Sequence, residues 1–459
     1  MAYQSINPYT GKLLITLPYQ SLEEANNALE MAALANRNWR VIGFTGRAVV
    51  VHRLAELLRK RIGLVANTMT AEMGKITREA DGEIHKSADA CDYFALKAAL
   101  LLADEPLYYP DGNATLRHEP LGTILGIMPW NFPLWQVIRF AIPTLMAGNV
   151  VIIKHAENVP QSALLIAQLF ADAGFPEGVY QNLLIDNDTT AQVIAHPLCA
   201  GVSLTGSHAA GCAVAATAGK NLKKSVMELG GSDPFIVLAD ADIPSAAEAA
   251  AKSRYMNAGQ VCISAKRFIV DNRIAGSFVD ELRKQAEKLR VGDPLDTNTT
   301  LAPMARADLR DKLQRQVDES IAAGARVVTG CQPLPDYAGY PASILDYVTP
   351  GMPAFDDELF GPVASIIRVD SIEEAITAAN RSRYGLAASV WTRDIARAQE
   401  IAEQLDVGSA FINMLPKTDV HLPFGGTKQS GYGKELGTQG IREFVSSKVI
   451  VAPDNSRNR

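Results

Sequence analysis

Apolar residues change their spacing along this chain, and each change marks a different element. From Ser21 to Trp39 they recur at helical intervals behind SLEE, where Ser21 and Glu24 stand at capping-box spacing, and a second helical stretch is predicted from about Arg47 to Met73. The pattern then becomes a series of short runs rich in β-branched residues: GTILGIM (122–128), NVVIIK (149–154), VYQNLLI (179–185), GVSLTG (201–206) and DPFIVLA (233–239). Helix-like segments such as QSALLIAQLFADAG lie between several of them. Strands apolar on both faces, alternating with helices, predict a parallel sheet covered by helices. Beyond Cys262 the alternation resumes with a long charged helix near 303–323, then RVVTG, VASIIRV, the helix SIEEAITAAN and LAASVWT, which predict a second α/β domain. Residues 102–120, LADEPLYYPDGNATLRHEP, fit neither series, and their PDGN turn predicts a protruding hairpin. A lone hairpin is marginally stable, so a partner subunit is expected to supply a packing surface. The uncharged run FAIPTLMAGNVVII has 14 residues and contains Pro143 and Gly148. It falls short of the ~20 residues of a membrane span and is expected to be buried structure.

Composition narrows the class without changing this picture. A chain of 459 residues, 47% hydrophobic and 20% charged, is globular and long enough for two or three domains. With a net charge of −6 and no long basic run, neither nucleic acid nor an anionic membrane is an expected partner. The opening MAYQSINPYTGK has neither the pattern of a secretory signal nor that of a transit peptide. Five cysteines at irregular spacing point to free thiols in a reducing cytoplasm.

Candidate chemistry is sparse when read motif by motif. The seven histidines are scattered and neither HExxH nor CxxC occurs, so no metal site is expected. GSHAAGCA (206–213) places Cys212 where a Walker loop requires lysine, and GYGKELG (431–437) is one residue too long for a GxGxxG fingerprint. GVSLTGSHAAG nevertheless reads as strand, tight turn and helix start, a backbone arrangement that stabilises phosphate. In NAGQVCISAKR the polar, glycine-containing approach to Cys262 is unlike a core strand, and Lys266 and Arg267 would favour a thiolate if near it. Taken alone, an inert packing cysteine is the commoner case. A nucleophile needs a base and an oxyanion partner: Glu228 in MELGGSDPF and Asn131 in MPWNFPLW are candidates, against plainer readings as a surface or capping glutamate and a turn amide.

Together, MPWNFP, MELGGSDPF, NAGQVC, ELFGPV and LPFGGTKQSG, in this order and with Glu228 34 residues before Cys262, resemble the aldehyde dehydrogenase superfamily. The resemblance runs from INPYTG near the start to PFGGTKQSG. It implies an α/β fold with two Rossmann-like parallel-sheet domains and a small oligomerisation hairpin. Residues 1–101 and 121–231 would bind the dinucleotide, 232–430 would carry the nucleophilic cysteine, and 102–120 with 440–459 would join a homodimer or homotetramer. It further implies that the Cys262 thiolate adds to the aldehyde, that Asn131 and the Cys262 N–H hold the oxyanion, and that Glu228 takes a proton from the water that hydrolyses the thioester.

The same resemblance assigns the cofactor to Met128, Trp130, Lys154, His155, Glu157, Gly206, Ser207, Leu229, Glu358 and Phe360. Lys154 and Glu157 match positions at the adenosine ribose, Ser207 the pyrophosphate, and Glu358 and Phe360 the nicotinamide ribose and ring. A carboxylate at Glu157 accepts both ribose hydroxyls and repels a 2′-phosphate, so NAD is the preferred cofactor; positive charge from Lys154 and His155 leaves NADP open as a second one. Arg139 matches the arginine by which succinate-semialdehyde dehydrogenases of the superfamily hold the distal carboxylate, against the plainer reading of a solvent-facing helical arginine. Met256 and Ser264 stand where that subfamily often has a second arginine and a second cysteine, so the loop MLPKTDVH (414–421) is an alternative source of carboxylate contacts. Phe140 stands where a lysine is common in the wider family. Dehydrogenation of uncharged aldehydes, acyl transfer to CoA and a non-catalytic binding role on the same fold are the competing readings.

Overall fold

In the computed structural model, which describes residues 2–335 and 338–453, the β-branched runs form two parallel sheets. The first has the spatial order Gly431–Tyr432, Lys224–Glu228, Cys199–Thr205, Thr123–Met128, Val150–His155, Tyr180–Asn182. All its pairings are parallel except that of Gly431–Tyr432 with Lys224–Glu228. From Thr123–Met128 the chain first builds outward through Val150–His155 and Tyr180–Asn182, then crosses to the other side at Cys199–Thr205. That reversal opens a crevice beyond the carboxyl ends of two adjacent strands, where open α/β sheets bind ligands. The two strands end on the Met128 of MPWN and the Thr205 of TGS.

The second sheet has seven strands in the order Arg326–Thr329, Ser343–Asp346, Val363–Val369, Ala265–Asp271, Asp233–Val237, Ala387–Trp391, Ser409–Ile412, with only the first pairing antiparallel. Each sheet has its own buried apolar cluster. The run FAIPTLMAGNVVII divides between the helix Trp135–Met146 and the strand Val150–His155, both entirely buried, as an uncharged stretch inside a globular protein must be. No helix of the described residues is long and apolar enough to cross a membrane.

Several elements differ from expectation. The helical stretch from Arg47 to Met73 is two helices, Gly43–Lys60 and Ile62–Met73, broken at Arg61. A 25-residue helix, Thr77–Leu101, has no counterpart in the predicted pattern because most of its buried face is alanine, serine and cysteine, which contrast weakly with its polar face. The hairpin Glu105–Leu107 and Gly112–Pro120 exists, and it is accompanied within the chain. Val445–Pro453 pairs antiparallel with Gly112–Pro120 over its full length. Residues 454–459 of the expected C-terminal oligomerisation element lie outside the described residues.

Candidate active site

The helix Ile243–Tyr255 passes to the strand Ala265–Asp271 through a turn in which Asn257, Ala258 and Gly259 all have positive φ, at 52°, 52° and 71°. L-residues in this region cost about 1–2 kcal/mol each, so the surroundings must hold them. They do. Asn257 N donates to Glu79 Oε1 at 3.0 Å and its Nδ2 to the Asn131 carbonyl at 3.0 Å; Gln260 Nε2 donates to the Asn257 carbonyl at 3.0 Å, and Gln260 Oε1 accepts from Ala305 N at 2.9 Å. At Gly259 a side chain would collide with the Gly361 carbonyl. The turn delivers Cys262 to the junction of two cavities, both of which it lines.

The larger cavity, about 540 Å³, brings Cys262 and Asn131 together with Trp130, Gly206, Ser207, Leu229, Glu358 and Phe360. Ser207 caps the helix His208–Lys220, its hydroxyl accepting from Ala210 N at 3.3 Å, so the strand, turn and helix start seen in the sequence form here. Free amides at a helix start, a bare backbone at Gly206 and apolar walls from Trp130, Leu229 and Phe360 fit the phosphates and nicotinamide of a dinucleotide.

The other expected cofactor residues lie outside that cavity. Met128 is core, its carbonyl accepting from Ala156 N at 2.9 Å. Lys154 Nζ lies 5.8 Å from the centre of the Tyr3 ring, and Glu157 Oε1 accepts from the Tyr19 hydroxyl at 2.9 Å. The expectation for His155 is corrected. It is fully buried, with Nδ1 at 3.3 Å from Asn182 Oδ1 and Nε2 at 3.2 Å from the Pro133 carbonyl, and burial pulls it down to about 4. A neutral core imidazole offers no charge to a 2′-phosphate.

Burial pushes the Cys262 thiol up to about 11, opposed by Arg139 and Lys266 and reinforced by Glu358 and Asp233. Lys266 Nζ donates to the Cys262 carbonyl at 2.7 Å and pairs with Glu358 Oε1 at 3.4 Å. Arg267 turns to the opposite side of its strand, donating to the carbonyls of Ser232, Ala378 and Ala379, so only the lysine of the pair acts on the thiol. Asn131 Nδ2 donates to the Gln260 carbonyl at 3.0 Å, which leaves its second amide hydrogen for an oxyanion.

Glu228 ends the strand Lys224–Glu228 with neither carboxylate oxygen hydrogen-bonded. Burial, and then Glu435, hold its carboxyl well above the usual carboxylate range, while Arg139 and Lys434 pull it down. It lines neither cavity; the space at Gly425 admits its carboxylate, since a Cβ there would sit 2.8 Å from Glu228 Oε1. Glu435, in the GYGKELG segment that reads as an ordinary turn, therefore belongs to the site although its sequence carries no distinct signal for it.

The smaller cavity, about 280 Å³, is walled by Phe132, Trp135, Met256 and Val261 and carries the cations Lys86, Arg139 and Lys417 together with Glu79 and Glu83. Arg139 is 1% exposed, which excludes a solvent-facing arginine. Its Nε pairs with Glu435, Nη2 donates to Thr205 Oγ1 at 3.1 Å, and the guanidinium lies 4.8 Å from the Phe424 ring centre. Phe140 packs edge-on against Phe444 over Gly126, so it fills core space while the neighbouring Arg139 supplies the cation facing Glu435. Met256 is on the cavity wall, and Lys417 with Thr418 brings in the 414–421 loop. Lys86 was not foreseen, since it lies on the helix the apolar pattern did not reveal. All five cysteines are free, and no cluster of three or more His, Cys, Asp or Glu able to hold a metal occurs among the described residues.

The aldehyde dehydrogenase family model matches residues 1–450. The chain is 45% identical over 447 residues, 97% of each chain, to succinate semialdehyde dehydrogenase [NAD(P)+] of Escherichia coli K12. It is 44% identical to succinate-semialdehyde dehydrogenase [NADP(+)] of Deinococcus radiodurans, over 98% of this chain and 94% of that one. It superposes on the crystal structure of succinic semialdehyde dehydrogenase from Streptococcus pyogenes in complex with NADP+ with a TM-score of 0.96 and 39% identity, covering 99% and 100% of the two chains.

Proposed function

The chain belongs to the aldehyde dehydrogenase family and is an NAD(P)-dependent enzyme, and we propose that it oxidises succinate semialdehyde, or a close ω-acid aldehyde, to the dicarboxylate through a thioester on Cys262. The observation that carries this reading is the position of Cys262 between a cavity fitted to a dinucleotide and a second cavity in which three cations, Lys86, Arg139 and Lys417, outnumber Glu79 and Glu83.

Trp130, Gly206, Ser207, Leu229, Glu358 and Phe360 would hold the cofactor. Bound there, it supplies the acceptor for the hydride that leaves the substrate carbon. The Cys262 thiolate attacks the aldehyde carbon, and Asn131 Nδ2 and the Cys262 backbone N–H stabilise the oxyanion; one such donor contributes about 3 kcal/mol to lowering a barrier of this kind. Glu228, its carboxyl raised by burial, takes the proton of the water that cleaves the thioester. Reaching the thiol requires Glu228 to swing out of the Gly425 recess. Arg139 holds the Glu435–Glu228 cluster and, with Lys86 and Lys417, makes the smaller cavity positive toward an acid aldehyde.

The relatives named for NADP+ and NAD(P)+ support NADP as a cofactor and give no support to a preference for NAD. Preference for NAD rests on Glu157, whose carboxylate would repel a 2′-phosphate. The enzyme would work in a reducing compartment as a homodimer or homotetramer, joined through Gly112–Pro120 and Val445–Pro453. The dinucleotide would sit on residues 1–101 and 121–231, and the nucleophile on 232–430.

A panel of aldehydes with and without a terminal carboxylate, assayed with both cofactors and without CoA, tests the reading. Steady reduced-cofactor production with the highest kcat/KM for succinate semialdehyde is expected. Dependence on added CoA, or equal kcat/KM for butanal, would overturn it.

A further inference from the structure

Among the described residues, the smaller cavity holds one cation that forms no ion pair. Arg139 is already matched by the buried Glu435 and by Thr205, and Lys417 pairs with Asp419 at 3.5 Å. Lys86 Nζ is held by the hydroxyl of Thr418 and lies 4.2 Å from the centre of the Trp135 ring. A hydroxyl and an aromatic face orient an ammonium without neutralising it.

The carboxylates around Lys86 are engaged elsewhere. Glu83, on the same helix, pairs with Lys75 and accepts from Leu134 N and Trp135 N at 3.0 and 2.9 Å. Glu79 accepts from Asn257 N, and burial raises its carboxyl toward the neutral form. Asp419 is shared by Lys417 and His421. Met256 places a thioether where a second arginine would have stood.

We infer that Lys86 is a specificity-determining residue whose ammonium receives the terminal carboxylate of the aldehyde while the carbonyl end is held at Cys262. The inference rests on the ω-acid aldehyde reading above. The apolar walls of the cavity that both groups line suit the methylenes of a short acid aldehyde, and a cation without an ion-pair partner beside Trp135 favours a planar carboxylate over an uncharged chain end. Loss of hydration, with Arg139 adding repulsion, pulls Lys86 down to about 8, opposed by Glu83, Asp419 and Cys262. The charge is therefore present in the free enzyme at neutral pH and lost as pH rises through that value. A bound carboxylate restores it.

The test compares kcat/KM for succinate semialdehyde with that for butanal in the full-length enzyme, the Lys86→Met variant and the Lys86→Arg variant. Lys86→Met is expected to lower the ratio about tenfold, the cost of one charge-assisted contact, and Lys86→Arg to preserve most of it. In the wild type the ratio falls as pH rises through about 8, and in Lys86→Arg it does not, because guanidinium stays charged. An unchanged ratio in Lys86→Met, or equal losses for both aldehydes, overturns the assignment and returns carboxylate binding to Arg139. A wild type that does not favour the acid aldehyde overturns the substrate reading itself, and that is read before any substitution is made.

Discussion

At the scale of single residues, the site is defined by charges that lower the energy of their neighbours' ionised forms. Arg139 opposes the upward shift of Cys262, Glu228 and Glu435 together. Removing it leaves a buried carboxylate unpaired, which costs about 3 kcal/mol of stability and shows as a lower Tm. Arg139→Ala is therefore expected to reduce kcat for butanal as well as for succinate semialdehyde, unlike Lys86→Met. It should also move the alkaline-rising limb of the kcat profile to higher pH. The sign follows from the proposed mechanism: there Glu228 must be ionised to act as a base, Arg139 favours that form, and its loss raises the pH at which the base becomes available. An unmoved limb would remove Arg139 from the cluster. Glu228→Gln should stop at the thioester, giving one burst of reduced cofactor per site and little turnover, read by stopped-flow absorbance.

At the scale of elements, the turn before Cys262 shows what a sequence displays and what it hides. NAGQ is visibly unsuited to a strand, yet nothing in those letters says that three consecutive residues adopt positive φ. That conformation is imposed from outside by Glu79, Asn131 and Ala305, which are distant in the chain. Gly259→Ala is expected to cost at least about 2 kcal/mol, since both its φ and the Gly361 carbonyl oppose a methyl group. A variant with wild-type Tm would mean that the turn is not under strain. Strands were legible because β-branched runs are dense and bounded by glycine, and Cys262, Glu228 and Asn131 stood out as candidates because each sits in a contiguous motif and the motifs follow one another in a set order. The helix Thr77–Leu101 was not, because an alanine-rich face signals burial only once its neighbours are known. Lys86, Glu435 and the neutrality of His155 were hidden for the same reason: each depends on contacts that local spacing does not encode.

At the scale of the whole molecule, the three-stranded sheet is incomplete as it stands. Val445–Pro453 lies at its edge, with one side paired to Gly112–Pro120 and the other side without a partner strand among the described residues. Edge strands in monomers are short or defended by charge. This one has nine residues, and Lys448 is its only charge, already paired with Glu119 at 2.9 Å. Val449, Ile450 and Val451 are about half exposed, and Tyr108 in the hairpin tip is 93% exposed. A second copy that extends the sheet or covers its face would bury these side chains. Val449→Lys with Val451→Lys, two residues on one face of the strand, is therefore expected to shift the mass seen by light scattering from a dimer or tetramer toward the monomer. The catalytic turn lies on another sheet, so residual activity of the dissociated form would measure how far assembly supports the site. A monomeric wild type, or an undisturbed oligomer in the double variant, would place the contact between copies on another surface.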